Sequence, residues 1–157
     1  MKSFVFSLDR VRSYKSQILD KEKKVLAVLL KKRDDLILKI SEMERFQAEK
    51  ANEAAERQRV GISMSELASY SYLIENARLQ IKLLNEELLK AEAAAEAQRK
   101  VVVEIYQEKT GMDKLEEKQL EEHRFLEAKE NEGEIMQVIS NKLADGVNGN
   151  SVKPEIS

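Results

Sequence analysis

The 157-residue chain has no cysteine, no tryptophan, one histidine, one proline and five glycines. Without cysteine there are no disulfides, thiolate nucleophiles or Cys-based zinc sites, and the composition suits a reducing compartment without demanding one. Average usage of roughly 12% Gly plus Pro would supply about three times as many turn formers, so sandwiches, barrels and doubly wound α/β folds are excluded. Aromatics are only 5%, too few to fill a thick interior. No run reaches the ~18 consecutive apolar residues of a membrane helix. Asp9, Arg10 and Arg12 interrupt Phe4-Val5-Phe6 before a signal-peptide core can form. These absences predict a soluble, cytoplasmic protein of one domain at most.

What the chain does have is charge, at 36% of residues, with 27 Lys and Arg nearly balancing 29 Asp and Glu for a net −2. A hydrophobic content of 42% is too high for full disorder, so the apolar side chains must lie in stripes. Punctuation is sparse enough to place boundaries. Helical pattern fails around Arg59-Val60-Gly61-Ile62-Ser63, and Ser63-Met64-Ser65-Glu66 then reads as a capping box. From Asp145 onward turn formers cluster without periodicity. The spacing therefore predicts helix over about 3–58, a turn over about 59–63, helix over about 64–143 and a flexible tail over 144–157.

The second helix carries the cleaner seam. With Leu67 at heptad position a, it runs Leu67, Tyr70, Ile74, Ala77, Ile81, Leu84, Leu88, Ala91, Ala95, Gln98, Val102, Ile105, Lys109 and Met112, and twelve of these fourteen are apolar. A seven-residue repeat held this long requires a partner helix, because a straight 3.6-residue helix rotates such a seam out of contact. The first helix offers Phe4, Leu8, Val11, Ile18, Val25, Leu29, Leu36 and Met43, joined by Ile40 and Phe46 and interrupted by Lys15, Glu22, Lys32 and Lys39. Charge orients the pair. Residues 1–33 hold ten Lys/Arg and three Asp/Glu, a balance of +7, whereas residues 86–134 hold eight and fifteen, a balance of −7. An antiparallel hairpin sets these segments side by side, with Ile18 level with about Ile105 and Leu36 with about Leu88. A parallel dimer would set like against like. The expected fold is all-α: a long two-helix antiparallel coiled-coil hairpin, roughly 80 Å and 120 Å in its two helices. A C-terminal helical overhang beyond about residue 119 and a disordered tail complete it.

No residue pattern supports catalysis. There is no Gly-rich phosphate loop, and His123 beside Glu121, Glu122 and Glu127 reads as a solvated helix position rather than a metal site. The carboxylates lie on charged helix faces with no pocket to raise their pKa values. Lys31-Lys32-Arg33 lacks an aromatic stacking platform for nucleic acid. No enzyme activity, cofactor, metal or nucleic-acid partner is expected. The informative residues are apolar ones off the seam. Tyr72 and Leu79 fall at f, Leu73 at g, Leu83 at c and Leu89 at b, and Tyr70, Tyr72, Leu73 and Ile74 cluster near the turn as a docking patch. Phe125, Leu126, Ile135, Met136, Ile139 and Leu143 form an amphipathic extension with nothing in the chain to cover it.

The opening Phe4-x-Phe6-x-Leu8-Asp9-Arg10-Val11 resembles that of the flagellar type III export protein family FliJ. So do Gly61-Ile62 followed by Leu67, Tyr70, Leu73 and Ile74, and the charged run Asp113-Lys114-Leu115-Glu116-Glu117-Lys118. The resemblance spans roughly residues 4–140. It implies a coiled coil similar to the central stalk of rotary ATPases. It further implies a cytoplasmic protein, peripheral at the inner face of the cell membrane, that works between the export ATPase ring and the cytoplasmic domain of the export gate and escorts export chaperones. By analogy with rotary stalks, Arg10, Arg12, Lys114, Lys118 and Arg124 are expected to contact the ATPase ring, and Tyr70, Leu73, Ile74 and Ala77 the gate. The competing readings are a stalk protein of a virulence type III secretion system or rotary ATPase, and a structural coiled coil that homo-oligomerises.

Overall fold

The computed structural model describes residues 3–150, with side chains through residue 146. Its secondary structure there is two helices, α1 (Asp9–Val60, 52 residues) and α2 (Met64–Asn150, 87 residues), with no strand among the described residues. They pack as an antiparallel helical hairpin, as the charge segregation predicts.

Three boundaries move. Helix α1 begins at Asp9, not near residue 3. On a continued helix Phe6 would point away from the seam; leaving the helix lets it turn inward to 5% exposure. The Phe6 carbonyl then accepts the Asp9 N–H at 3.2 Å, and Leu8 accepts Arg12 N–H at 2.9 Å as the first helical bond. Asp9 places negative charge at the helix N-terminus, where the dipole favours it. The turn is shorter than 59–63, because Arg59 and Val60 stay helical and only Gly61, Ile62 and Ser63 connect the helices. Gly61 has φ of +112° and donates its N–H to Arg57 O at 3.0 Å, the cap that favours glycine just past a helix end. Helix α2 runs to Asn150, past the expected end at Leu143. Adding residues to an existing helix needs no new nucleus, so weak formers such as Gly146 prolong it. Residues 151–157 of the expected tail lie outside the described residues.

The chain divides into two compact units, Tyr14–Glu108 and Met1–Ser13 with Lys109–Ser157. In the first, α1 and α2 run antiparallel. Lys15 pairs with Glu108, Gln98 donates to the Glu22 carbonyl at 3.1 Å, and Arg57 reaches Glu66 at 2.8 Å, so partners converge in sequence toward the turn. Every expected α2 seam position from Leu67 to Ile105 is buried or half-buried, and Ala77, Ala91 and Ala95 lie deepest.

The α1 seam corrects the sequence reading. Its first set of positions, Lys15, Glu22, Leu29, Leu36 and Met43, does face α2. The second set lies one residue later than expected, at Leu19, Leu26, Arg33, Ile40, Gln47 and Ala54. Val25 is left on the flank at 40% exposure. The reason is continuity of apolar contact: the expected line runs into Lys32 and Lys39, whereas the observed one keeps Leu19, Leu26, Ile40 and Ala54 against α2. A fully buried Leu or Ile contributes about 1.5–3 kcal/mol, and the observed line buries Leu19 and Ile40 where the expected one would bury Lys39.

In the second unit the covered stripe of α2 is mostly polar: Lys109, Thr110, Glu116, Gln119, His123, Glu127 and Asn131 are half-buried, with Met112 and Leu120 among them. Phe6 is the one fully buried apolar side chain of this unit among the described residues, under the Arg12 guanidinium at 5.3 Å, and Phe4 and Leu8 are half-buried. From Glu132 to Gly146 every residue is exposed.

Candidate partner-docking surfaces

Beside the turn, local capping fixes the start of α2. Ser63 Oγ accepts the Glu66 N–H at 3.1 Å, the hydroxyl half of the capping box. The carboxylate half is absent, because Glu66 instead accepts Arg57 Nη2 from across the turn at 2.8 Å. That hydrogen bond, reinforced by charge attraction, raises the Arg57 pKa above its ordinary value. Tyr70 and Leu73 then line a shallow groove with Lys50, Glu53, Arg57, Glu66 and Ser69. Leu73 also borders a second groove with Ser65, Ala68, Ser69 and Tyr72. Of the four residues assigned to the gate, Tyr70, Leu73 and Ile74 are half-buried, while Ala77 is 1% exposed and sits wholly inside the seam. The most exposed apolar side chain of the cluster is Tyr72 at 70%. Its f position shows it in the sequence, although the resemblance points to its neighbours.

The five basic residues assigned to the ATPase ring all lie in the unit of Met1–Ser13 with Lys109–Ser157. Arg10, Lys114, Lys118 and Arg124 are exposed, and none of these four is held in an ion pair among the described residues. Lys114 and Lys118 share a face at four-residue spacing. Arg12 differs. It reaches Asp9 at 2.5 Å and Asp113 at 3.4 Å, pairs with Glu116, and covers Phe6. Its charge is spent within the chain. His123 is not a simply solvated position, because its ring lies 5.6 Å from that of Phe4. Neither pairing is legible from one helix, since each needs the register between two segments over 100 residues apart.

The back of α2 behaves as its heptad positions predict, with Leu79, Leu83 and Leu89 at 46%, 60% and 68% exposure. In the extension, Phe125, Leu126, Ile135, Met136, Ile139 and Leu143 are all about half exposed or more. No helix among the described residues is long and apolar enough to cross a membrane.

Against known proteins, the family model described as FliJ, flagellar FliJ protein, matches residues 4–135. No curated protein and no solved structure matches the chain.

Proposed function

The chain belongs to the flagellar FliJ protein family, and from that premise we propose that it is a non-enzymatic, stalk-like link between the flagellar export ATPase ring and the cytoplasmic domain of the export gate. Escort of export chaperones is a further part of the proposed role. The protein works in the cytoplasm, held at the inner face of the cell membrane through its partners, without cofactor or nucleic acid.

The observation that carries this reading is the reach of the family match, which takes in both helices and the turn between them. The exposed side chains are consistent with it. Arg10, Lys114, Lys118 and Arg124 supply unpaired positive charge in one unit, and Tyr72 and Leu73 supply an apolar contact beside the turn in the other. Exposed charges steer association and release readily at cellular salt, which suits a link that must engage and let go.

The test is hexamer assembly and ATP hydrolysis by the source organism's flagellar export ATPase with and without the purified protein. Arg10→Glu/Lys118→Glu is the informative control. Arg12 is left intact because reversing it would break the Asp113 and Glu116 contacts. Salt-sensitive stimulation by the native chain, reduced at least fivefold in the variant, supports the reading. No stimulation with both proteins folded refutes the ATPase contact. Leu73→Asp tests the other contact: it should abolish gate binding at unchanged helicity, and undiminished binding removes the gate assignment.

A further inference from the structure

Between Lys15 and Leu29, α1 carries two seams that it could offer to α2. Lys15, Glu22 and Leu29 are common to both. On one side of that shared line lie Leu19 and Leu26, which occupy the seam; on the other lie Ile18, half-buried, and Val25, 40% exposed. Two leucines stand against an isoleucine and a valine, so the sides are closely matched in apolar character. At 3.6 residues per turn each side stands roughly 50° from the shared line, and a turn of α1 by about 50° on its own axis exchanges them. The exchanged line rejoins the occupied seam through Val25, Leu29 and Arg33. Those are two spacings of four in succession, the stutter that coiled coils absorb by local unwinding. It thereby avoids Lys32 and Lys39, which bar the earlier line from running further. Opposite this stretch α2 is built of small side chains, with Ala91, Ala93, Ala94, Ala95 and Ala97 in seven residues. A groove of about 350 Å³ opens there, with Leu26, Leu30 and Arg33 on the α1 side and Glu92, Ala95, Glu96 and Arg99 on the α2 side. Alanine methyls give α1 little to interlock with, and the groove is room for Leu26 as it leaves the seam.

We propose that residues 15–29 of α1 form a two-position element, turning about 50° between the occupied seam and one in which Ile18 and Val25 replace Leu19 and Leu26. Polar contacts set which position is held. Lys15 pairs with Glu108, and Gln98 donates to the Glu22 carbonyl at 3.1 Å. Both α1 residues belong to the shared line, so they stay beside α2 in either position and their contacts are remade rather than lost. The outer side of the helix turns with the seam: Lys21 and Lys24, both exposed, change heading relative to α2. A partner that grips them better in one position shifts the population by that difference in affinity. The element belongs to the hairpin itself and does not depend on the proposed export role.

Two measurements on the full chain test this. In the native protein, methyl relaxation dispersion should show Ile18, Leu19, Val25 and Leu26 exchanging at one common rate, while Ile40, beyond the stutter, stays flat. Flat profiles at all four overturn the proposal. So does the same exchange at Ile40, which is opening of the hairpin rather than rotation of one stretch. The chain has no cysteine, so the thiol of Val25→Cys can be read alone. Its alkylation by a maleimide should become at least tenfold slower when Leu19→Gln/Leu26→Gln is added, because amides buried without partners disfavour the occupied line and position 25 then enters the seam. An unchanged rate means that the glutamines remain in the old seam, and a faster one means that the stretch opens instead of turning. Either result overturns the proposal.

Discussion

Single residues fix where the chain turns and which side chains remain available to partners. Gly61 holds φ of +112° with open space around the position a Cβ would take. Gly61→Ala therefore costs backbone strain rather than a clash, about 1–2 kcal/mol, and urea unfolding should show the loss without a change in secondary structure. Ion pairs along one helix act more locally. Arg78 and Arg99 bond the charged forms of Glu75 and Glu96, holding both carboxyls below the ordinary 4.5. A depressed folded pKa gives stability that is present above the unfolded value and lost as pH falls through the lower folded one. The helicity advantage of the native chain over Arg78→Gln/Arg99→Gln should thus be present at neutral pH and vanish on acidification below 4.5, as followed by circular dichroism. Arg12 shows why residue type alone misleads: it reads as one cation among five, yet three carboxylates and an aromatic ring already occupy it.

At the scale of the helices, stability and specificity separate along the seam. The Glu22–Gln98 contact is a polar step in an otherwise apolar stretch, with Gln98 donating to both the carbonyl and the carboxylate of Glu22. Such a step fixes register at a cost in stability. Glu22→Leu/Gln98→Leu should raise stability by about 1–3 kcal/mol while permitting slipped registers, seen as a higher urea midpoint together with broadened amide resonances. Gln98→Leu alone should destabilise, because Glu22 then loses its partner. The two helices were unequally legible. Helix α2 declares its seam because polar residues interrupt it only at Gln98 and Lys109. In α1 the occupied line includes Arg12 and Arg33, while Val11, Ile18 and Val25 form a rival one residue earlier; a single helix gives no means of choosing. Contact with α2 decides for leucine and isoleucine, while Arg12 and Arg33 keep their charged ends paired with carboxylates, Arg12 with Asp9, Asp113 and Glu116 and Arg33 with Asp34. The site residues followed the same rule. Exposure of Tyr72, Leu83 and the α2 extension follows from heptad position, whereas the burial of Phe6 and the Phe4–His123 contact depend on a backbone turn before Asp9 that no periodicity signals.

Across the whole chain the two units differ in what holds them. In Tyr14–Glu108 the seam is aliphatic, with Leu19, Leu36, Ile40, Ala54, Ala77, Ala91 and Ala95 at 8% exposure or less. In the other unit the covered stripe of α2 is mostly polar, and Phe6 is its one buried apolar side chain among the described residues. Most helical stability in proteins comes from packing an apolar face rather than from propensity, so local opening should be far easier in α2 beyond Lys109 than before it. Hydrogen exchange on the isolated protein should show amides of α1 and α2 within Tyr14–Glu108 exchanging slowly and together. Amides from Glu132 to Gly146 should exchange orders of magnitude faster, because no residue there is covered. A partner seated on the Phe125–Leu143 face should slow exchange in that segment alone. With the native chain, protection that rises with its own concentration identifies a second copy as that partner, and protection that appears only with the export ATPase assigns the segment to the ring. Uniform protection along all of α2 would mean that the polar stripe supports the helix as well as the aliphatic seam does, and the energetic division between the units would be wrong.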